Sequence, residues 1–125
     1  MASDPVDPRY IRGVELFDQG EYFDSHEVWE ELWIEEDGPA RRFYQGLIQA
    51  AVSLFHLQNG NLVGSRKLMD SSAAYLAPYC PVYMGLDLER LLGDVRRCFE
   101  ANRQQPPIGG GDLEDMPKIH HPPQE

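Results

Sequence analysis

Phe43-Tyr44-Gln45-Gly46-Leu47-Ile48-Gln49-Ala50-Ala51-Val52-Ser53-Leu54-Phe55-His56-Leu57 is the stretch on which the fold turns. On a helix of about 3.6 residues per turn its apolar side chains fall nearly all round the axis, the pattern of a helix with neighbours on every side. This predicts a central helix over about 39–58, bounded by Asp37-Gly38-Pro39 and Asn59-Gly60-Asn61. Upstream, a first helix starts after Asp7 with Pro8 in its first turn, turns Tyr10, Ile11, Val14 and Phe17 inward, and stops at Gly20. A second runs from about 21–24 to 34 through Tyr22, Phe23, Trp29, Leu32 and Trp33. Downstream, a fourth covers about 62–77 and ends before Pro78 and Pro81, and Asp87 caps a fifth that lays down Leu88, Leu91, Leu92, Val95 and Phe99 as one stripe.

Strand-like alternation is missing, so the expected fold is all-α: a single-domain antiparallel bundle of about five helices built from helical hairpins. A chain of 125 residues holds one core. Residues 1–8 are read as a short N-terminal tail and 9–103 as the bundle. Residues 104–125, with Pro106-Pro107, Gly109-Gly110-Gly111 and Pro122-Pro123, read as a flexible Pro/Gly-rich tail with little to bury, and the triple glycine as linker. Gly20 to Ser25 echoes Gly60 to Ser65: in each, a glycine ends one helix, apolar residues open the next, and a small serine lets the paired helices approach.

The 21 acidic and 11 basic side chains leave a net charge of −10, which argues against nucleic acid and anionic membranes, because both need clustered cations. No apolar run approaches the roughly 20 residues of a membrane span, and Met1-Ala2-Ser3-Asp4-Pro5 has no signal-peptide character, so a cytoplasmic location is expected. Cys80 and Cys98 are then expected as free thiols.

Polar residues interrupt the apolar faces at two places. At about 100° per residue, Tyr22, Phe23, His26, Trp29, Glu30 and Trp33 share one arc, while Asp24, Glu27, Glu31 and Glu35 face the other way as a solvated surface. On the central helix Gln45, Gln49, Val52 and His56 form a second stripe, with Arg42 at its N-terminal end. If the two helices pair antiparallel, His26, Glu30, Gln45, Gln49 and His56 face one another. A buried polar network that fixes helix register is one use of such a cluster. A zinc or iron site on His26, Glu30 and His56 is another, since two imidazoles and a carboxylate suit either metal with an open position. Acid–base work by His26 and Glu30 is the third, although no nucleophile or phosphate-cradling loop accompanies them. Eight acidic residues lie between Glu21 and Asp37 with no Lys or Arg among them, a surface that suits either solvation or a basic protein partner. Val28, Trp29 and Leu32 offer apolar area for self-association. His120-His121 is a pair of weak metal-binding character.

Gly20 through Trp33, the Gln45-Gly46-Leu47-Ile48-Gln49-Ala50-Ala51 segment, His56 to Asn61 and Gly64-Ser65-Arg66-Lys67-Leu68 together resemble family number 309 of the domain-of-unknown-function series, from about residue 10 to 77. The resemblance implies a small all-helical protein. Its His-Glu-x-x-Glu-x-x-Trp helix falls on His26, Glu27, Glu30 and Trp33, and its Gln-Gly-x-x-Gln helix on Gln45, Gly46 and Gln49. Ser25 and Ser65 stand where alanine is typical, and the resemblance supplies no reaction, substrate or cofactor. Two functions remain side by side, with enzymatic status undecided: a non-enzymatic helical domain that mediates protein association, and a metal- or ligand-binding pocket, in a hydrolase-type enzyme, built on His26, Glu30 and His56.

Overall fold

The computed structural model describes residues 6–104 and 112–120. Among the described residues five helices form, α1 (Pro8–Asp18), α2 (Tyr22–Glu35), α3 (Arg41–Gln58), α4 (Leu62–Leu76) and α5 (Leu88–Asn102), with a 3-10 turn (Ala77–Tyr79) after α4. Local chemistry sets their starts. The Asp7 carboxylate accepts from Arg9 N (2.9 Å) with Pro8 in the first turn, Asn61 Oδ1 accepts from Gly64 N (2.9 Å), and Asp87 Oδ1 accepts from Arg90 N (3.0 Å).

The echo between Gly20–Ser25 and Gly60–Ser65 is structural. In the first hairpin Glu21 N donates to Leu16 O (2.9 Å) and Gly20 N to Phe17 O (3.0 Å). In the second, Asn61 N donates to His56 O (2.9 Å) and Gly60 N to Leu57 O (3.1 Å). This is the Schellman pattern, and both glycines take the positive φ it needs, 80° and 78°. The helix contacts correspond as well. Ser25 Oγ donates to Gly13 O (2.8 Å) between α1 and α2, and Ser53 Oγ donates to Ser65 O (2.9 Å) between α3 and α4, with donor and acceptor exchanged between the helices. Ser72 Oγ adds a bond to Gly46 O (2.7 Å). Each of these hydroxyls is buried, so each must find a partner, and a carbonyl of the facing helix supplies it.

The core runs along α3. Phe43, Leu47, Ala51, Leu54 and Leu57 are buried, as are Trp29 and Tyr22 of α2, Phe17 of α1 and Leu76 of α4. Antiparallel pairing of α2 with α3 follows from contacts at both ends: Phe23 against Phe55 (5.2 Å between centroids) and the Arg41 guanidinium over the Trp33 ring (4.1 Å).

Two features depart from the sequence reading. A small antiparallel pair, β1 (Val82–Tyr83) and β2 (Leu86–Asp87), joins the 3-10 turn to α5. Its loop residues Met84 and Gly85 both have positive φ, as a two-residue hairpin turn of the primed type requires. Residues 112–120, expected within a free tail, pack onto the bundle instead, with Leu113, Pro117 and Ile119 buried. Hydrogen bonds to the bundle hold their backbone at four groups. Asn102 brackets Glu114 (Nδ2 to Glu114 O 2.8 Å; Glu114 N to Oδ1 3.0 Å), Asp18 Oδ1 accepts from Ile119 N (2.7 Å), and Asp87 N donates to His120 O (2.8 Å). Pro106-Pro107, Gly109-Gly110-Gly111, His121 and Pro122-Pro123 lie outside the described residues.

Cys80 and Cys98 are free. Burial pushes the Cys98 thiol up to about 12 and also raises the phenols of Tyr10 and Tyr22. All three groups hold their protons more tightly when folded. Their stabilising contribution is therefore complete below the ordinary thiol value of 9.0 and is lost as pH rises towards 12. Unfolding free energies from urea titrations should accordingly be level through neutral pH and fall from about pH 9, by up to about 1.4 kcal/mol per pH unit for each group that titrates, with the midpoint falling in step. A midpoint that holds to pH 11 would mean these side chains meet water.

A Cβ on Gly13 would land on the buried Trp29 indole. Alanine at an open helical site gains about 0.5–1 kcal/mol over glycine, but overpacking against a fixed ring costs about 1–3 kcal/mol. Gly13→Ala is expected to lower unfolding free energy by about 1–2 kcal/mol in a urea titration; a stabilised variant would show that α1 and α2 stand further apart.

Candidate functional site

His26 and Glu30 are neighbours on α2, as their spacing predicts. His26 Nδ1 lies 2.8 Å from Phe23 O. A carbonyl only accepts, so Nδ1 carries a proton and Nε2 is left towards the Glu30 carboxylate at 3.8 Å. This pair sits at the margin of the fold: the His26 side chain is 17% exposed and that of Glu30 52%. The inward face of α2 is Tyr22, Ser25, Trp29 and Leu32.

The enclosed constellation does not form as expected. Gln45 and Gln49 are partly buried, yet no hydrogen bond ties either to His26 or Glu30, and Gln49 Oε1 is a buried acceptor with no partner among the described residues. His56 is separated from His26 by phenylalanines. The contacts run His26 to Phe23 (4.9 Å), Phe23 to Phe55 (5.2 Å) and Phe55 to His56 (6.1 Å), a row with an imidazole at each end. Among the described residues no three His, Cys, Asp or Glu side chains are grouped so that they could hold a metal ion. Trp33 is held by Arg41, whose guanidinium lies over the ring and donates from Nη1 to Trp33 O (2.9 Å) and Glu36 O (3.0 Å), covering the C-terminal carbonyls of α2. The Trp33 indole N–H is buried and has no acceptor among the described residues.

What α2 presents outward is a different row. Phe23, Glu27, Glu30 and Ile34 follow i, i+4, i+7 and i+11, and all four are exposed, Phe23 by 46% and Ile34 by 65%. Glu31 and Glu35 lie alongside and meet Arg9 of α1, Glu35 at 2.8 Å and Glu31 at 3.7 Å. Arg9 holds the Glu35 carboxylate below its ordinary value through hydrogen bonding. Glu27 has no ion pair among the described residues. Sequence reasoning assigned Phe23 to the aromatic interior, because a helical wheel cannot tell the middle of an apolar arc from its edge.

Comparison with known proteins bears on these same elements. The family model described as "Domain of unknown function (DUF309)" matches residues 10–68, from within α1 to the middle of α4. This stretch is similar to the DUF309 family. The matched stretch contains both Schellman turns and the whole exposed row of α2. The "Uncharacterized protein YpuF" of Bacillus subtilis (strain 168) is 38% identical over 91 residues, 70% of this chain and 52% of that protein. The chain spans about half the length of the curated relative it matches.

An unpartnered buried carbonyl stabilises nothing, and an apolar side chain of the same shape removes its desolvation cost. Gln49→Met is expected to raise unfolding free energy by about 0.5–2 kcal/mol in chemical denaturation. A loss of similar size would mean that Gln49 is hydrogen-bonded inside the seam.

Proposed function

We propose that this domain is a protein-association module, located in the cytoplasm, and that the Phe23–Glu27–Glu30–Ile34 row of α2 is its working surface. The observation that carries this reading is the composition of the row: two large apolar side chains, 46% and 65% exposed, at the ends of a carboxylate-bearing stripe. Large apolar groups at both ends supply burial, and charges between and beside them set register and orientation, which is how interfaces divide affinity from specificity. The complementary partner is a basic amphipathic helix or segment with apolar residues at its ends and Lys or Arg between them. The length relation to the curated relative supports a module, because the matched region there is joined to about as much chain again.

The buried seam behind the row, with the Trp33 N–H and Gln49 Oε1 unpartnered, supports a rigid backing for the surface and not the surface itself. His26 belongs to that backing. Its ring packs on Phe23 and its Nδ1–H bonds the Phe23 carbonyl, so it fixes the start of the row.

Affinity capture from the native source, followed by binding measurements at two salt concentrations, tests the reading. Glu27→Lys with Glu31→Lys should weaken the captured complex at least tenfold at low salt and flatten its salt dependence, and Phe23→Ser should weaken it at any salt. A complex untouched by all three changes would place the interface elsewhere.

A further inference from the structure

A cavity of about 340 Å³ opens on a part of the molecule that the α2 row does not use. Arg42, in the first turn of α3, forms one side. Ser71, Ala74 and Tyr75, in the last turns of α4, form another, and Pro78 and Tyr79 of the 3-10 turn close the end. The walls are stiff. The Tyr79 hydroxyl donates to Pro39 O (2.6 Å) and its ring packs on Phe43 (5.6 Å) and Tyr83 (4.6 Å). Four residues into α3 from Arg42, Gly46 lets the two helices close, since a Cβ there would come within 2.6 Å of Leu76.

Arg42 is the unusual member. Its guanidinium has no ion pair among the described residues of a chain with net charge −10. It also stands in the first turn of a helix, where the backbone dipole disfavours a cation, with no acidic residue in that turn and no side-chain cap on Ala40 to compensate. Its neighbour Arg41 is engaged with Trp33 and Glu36, whereas Arg42 is left facing the cavity. The Ser71 and Tyr75 side chains lining the same space make no hydrogen bond within the described residues.

We propose that this cavity binds a small organic anion: a carboxylate or phosphate on a flat apolar body. The guanidinium fork takes the anionic oxygens, the Ser71 and Tyr75 hydroxyls are the remaining donors, and the body lies against Tyr75, Pro78 and Tyr79. The volume lies at the lower end of the roughly 300–1,000 Å³ range of small-molecule sites, which suits one ring and one anionic group. A bidentate guanidinium–oxyanion pair beside an aromatic wall is the strongest recognition these residues can make.

Amide and side-chain NMR shifts of the full chain, followed during titration with phenylacetate, phenyl phosphate and the neutral 2-phenylacetamide, test the proposal and separate the two anion types. The expected result is a saturable shift at Arg42 Nε, Ser71, Tyr75 and Tyr79 with one or both anions at about millimolar concentration, and about tenfold weaker binding of the amide. Arg42→Gln should weaken the anion at least tenfold. Ala74→Trp, at an exposed position, should abolish binding by filling the space while Arg42 remains. Glu27→Lys with Glu31→Lys should leave binding unchanged, so failure of the α2 surface and failure of this site are distinguishable. Shifts that survive Arg42→Gln, equal binding of the amide, or no saturable shift below about 10 mM would each overturn it.

Discussion

The fold depends on how closely paired helices touch at a few small residues. Gly13 lies under the Trp29 indole and Gly46 against Leu76, and in each case a Cβ would occupy space the neighbour already fills. Buried serines turn that proximity into hydrogen bonds. Ser25 reaches Gly13 O across the first hairpin, and Ser53 and Ser72 reach Ser65 O and Gly46 O across the second. Because helix carbonyls already accept one bond, the serine uses their second lone pair and takes nothing from the helix. The large residues pack where they do because these small ones set the spacing. Trp29 is fully buried only because α1 has no side chain at Gly13, and its Nε1–H then reaches Tyr10 O (3.2 Å).

The two hairpins are versions of one plan, with the same Schellman bonds at Gly20 and Gly60 and the same serine positions beyond them. Differences between them decide which surfaces are available. Trp29 and Leu32 of α2 are buried, and its opposite side is left to the Phe23–Ile34 row. On the other side of α3, the last turns of α4 stand over Arg42 and leave the cavity. The two proposed surfaces therefore follow from the hairpin plan. Ile34 and Arg42 are exposed, and Phe23 is exposed on one side while its ring packs on Phe55.

The sequence made the helices legible because their apolar residues recur with helical period and are punctuated by Asp7-Pro8, Gly20, Asp37-Gly38-Pro39, Asn59-Gly60-Asn61 and Asp87. It did not show β1 and β2, whose two residues each are too short for alternation to register, or the docking of 112–120, whose Leu113, Pro117 and Ile119 bury singly and rely on Asn102 and Asp18. At the candidate site, adjacency of His26 and Glu30 follows from spacing within one helix. Convergence with His56 required knowing what fills the seam between two helices, and Phe23 and Phe55 fill it. The cavity left a trace that periodicity overlooks: two arginines opening α3, where a cation is disfavoured, and only one of them used to cap α2.

The most direct test of the central claim is the nuclear Overhauser effect between backbone and ring protons in the folded protein. The close contact of α1 and α2 predicts strong cross-peaks from the Gly13 α-protons to the Trp29 indole, and that of α3 and α4 predicts equally strong ones from the Gly46 α-protons to the Leu76 methyls. Their absence in a folded, well-dispersed spectrum would mean that the helices are held apart and that the small residues do not set the spacing of the bundle.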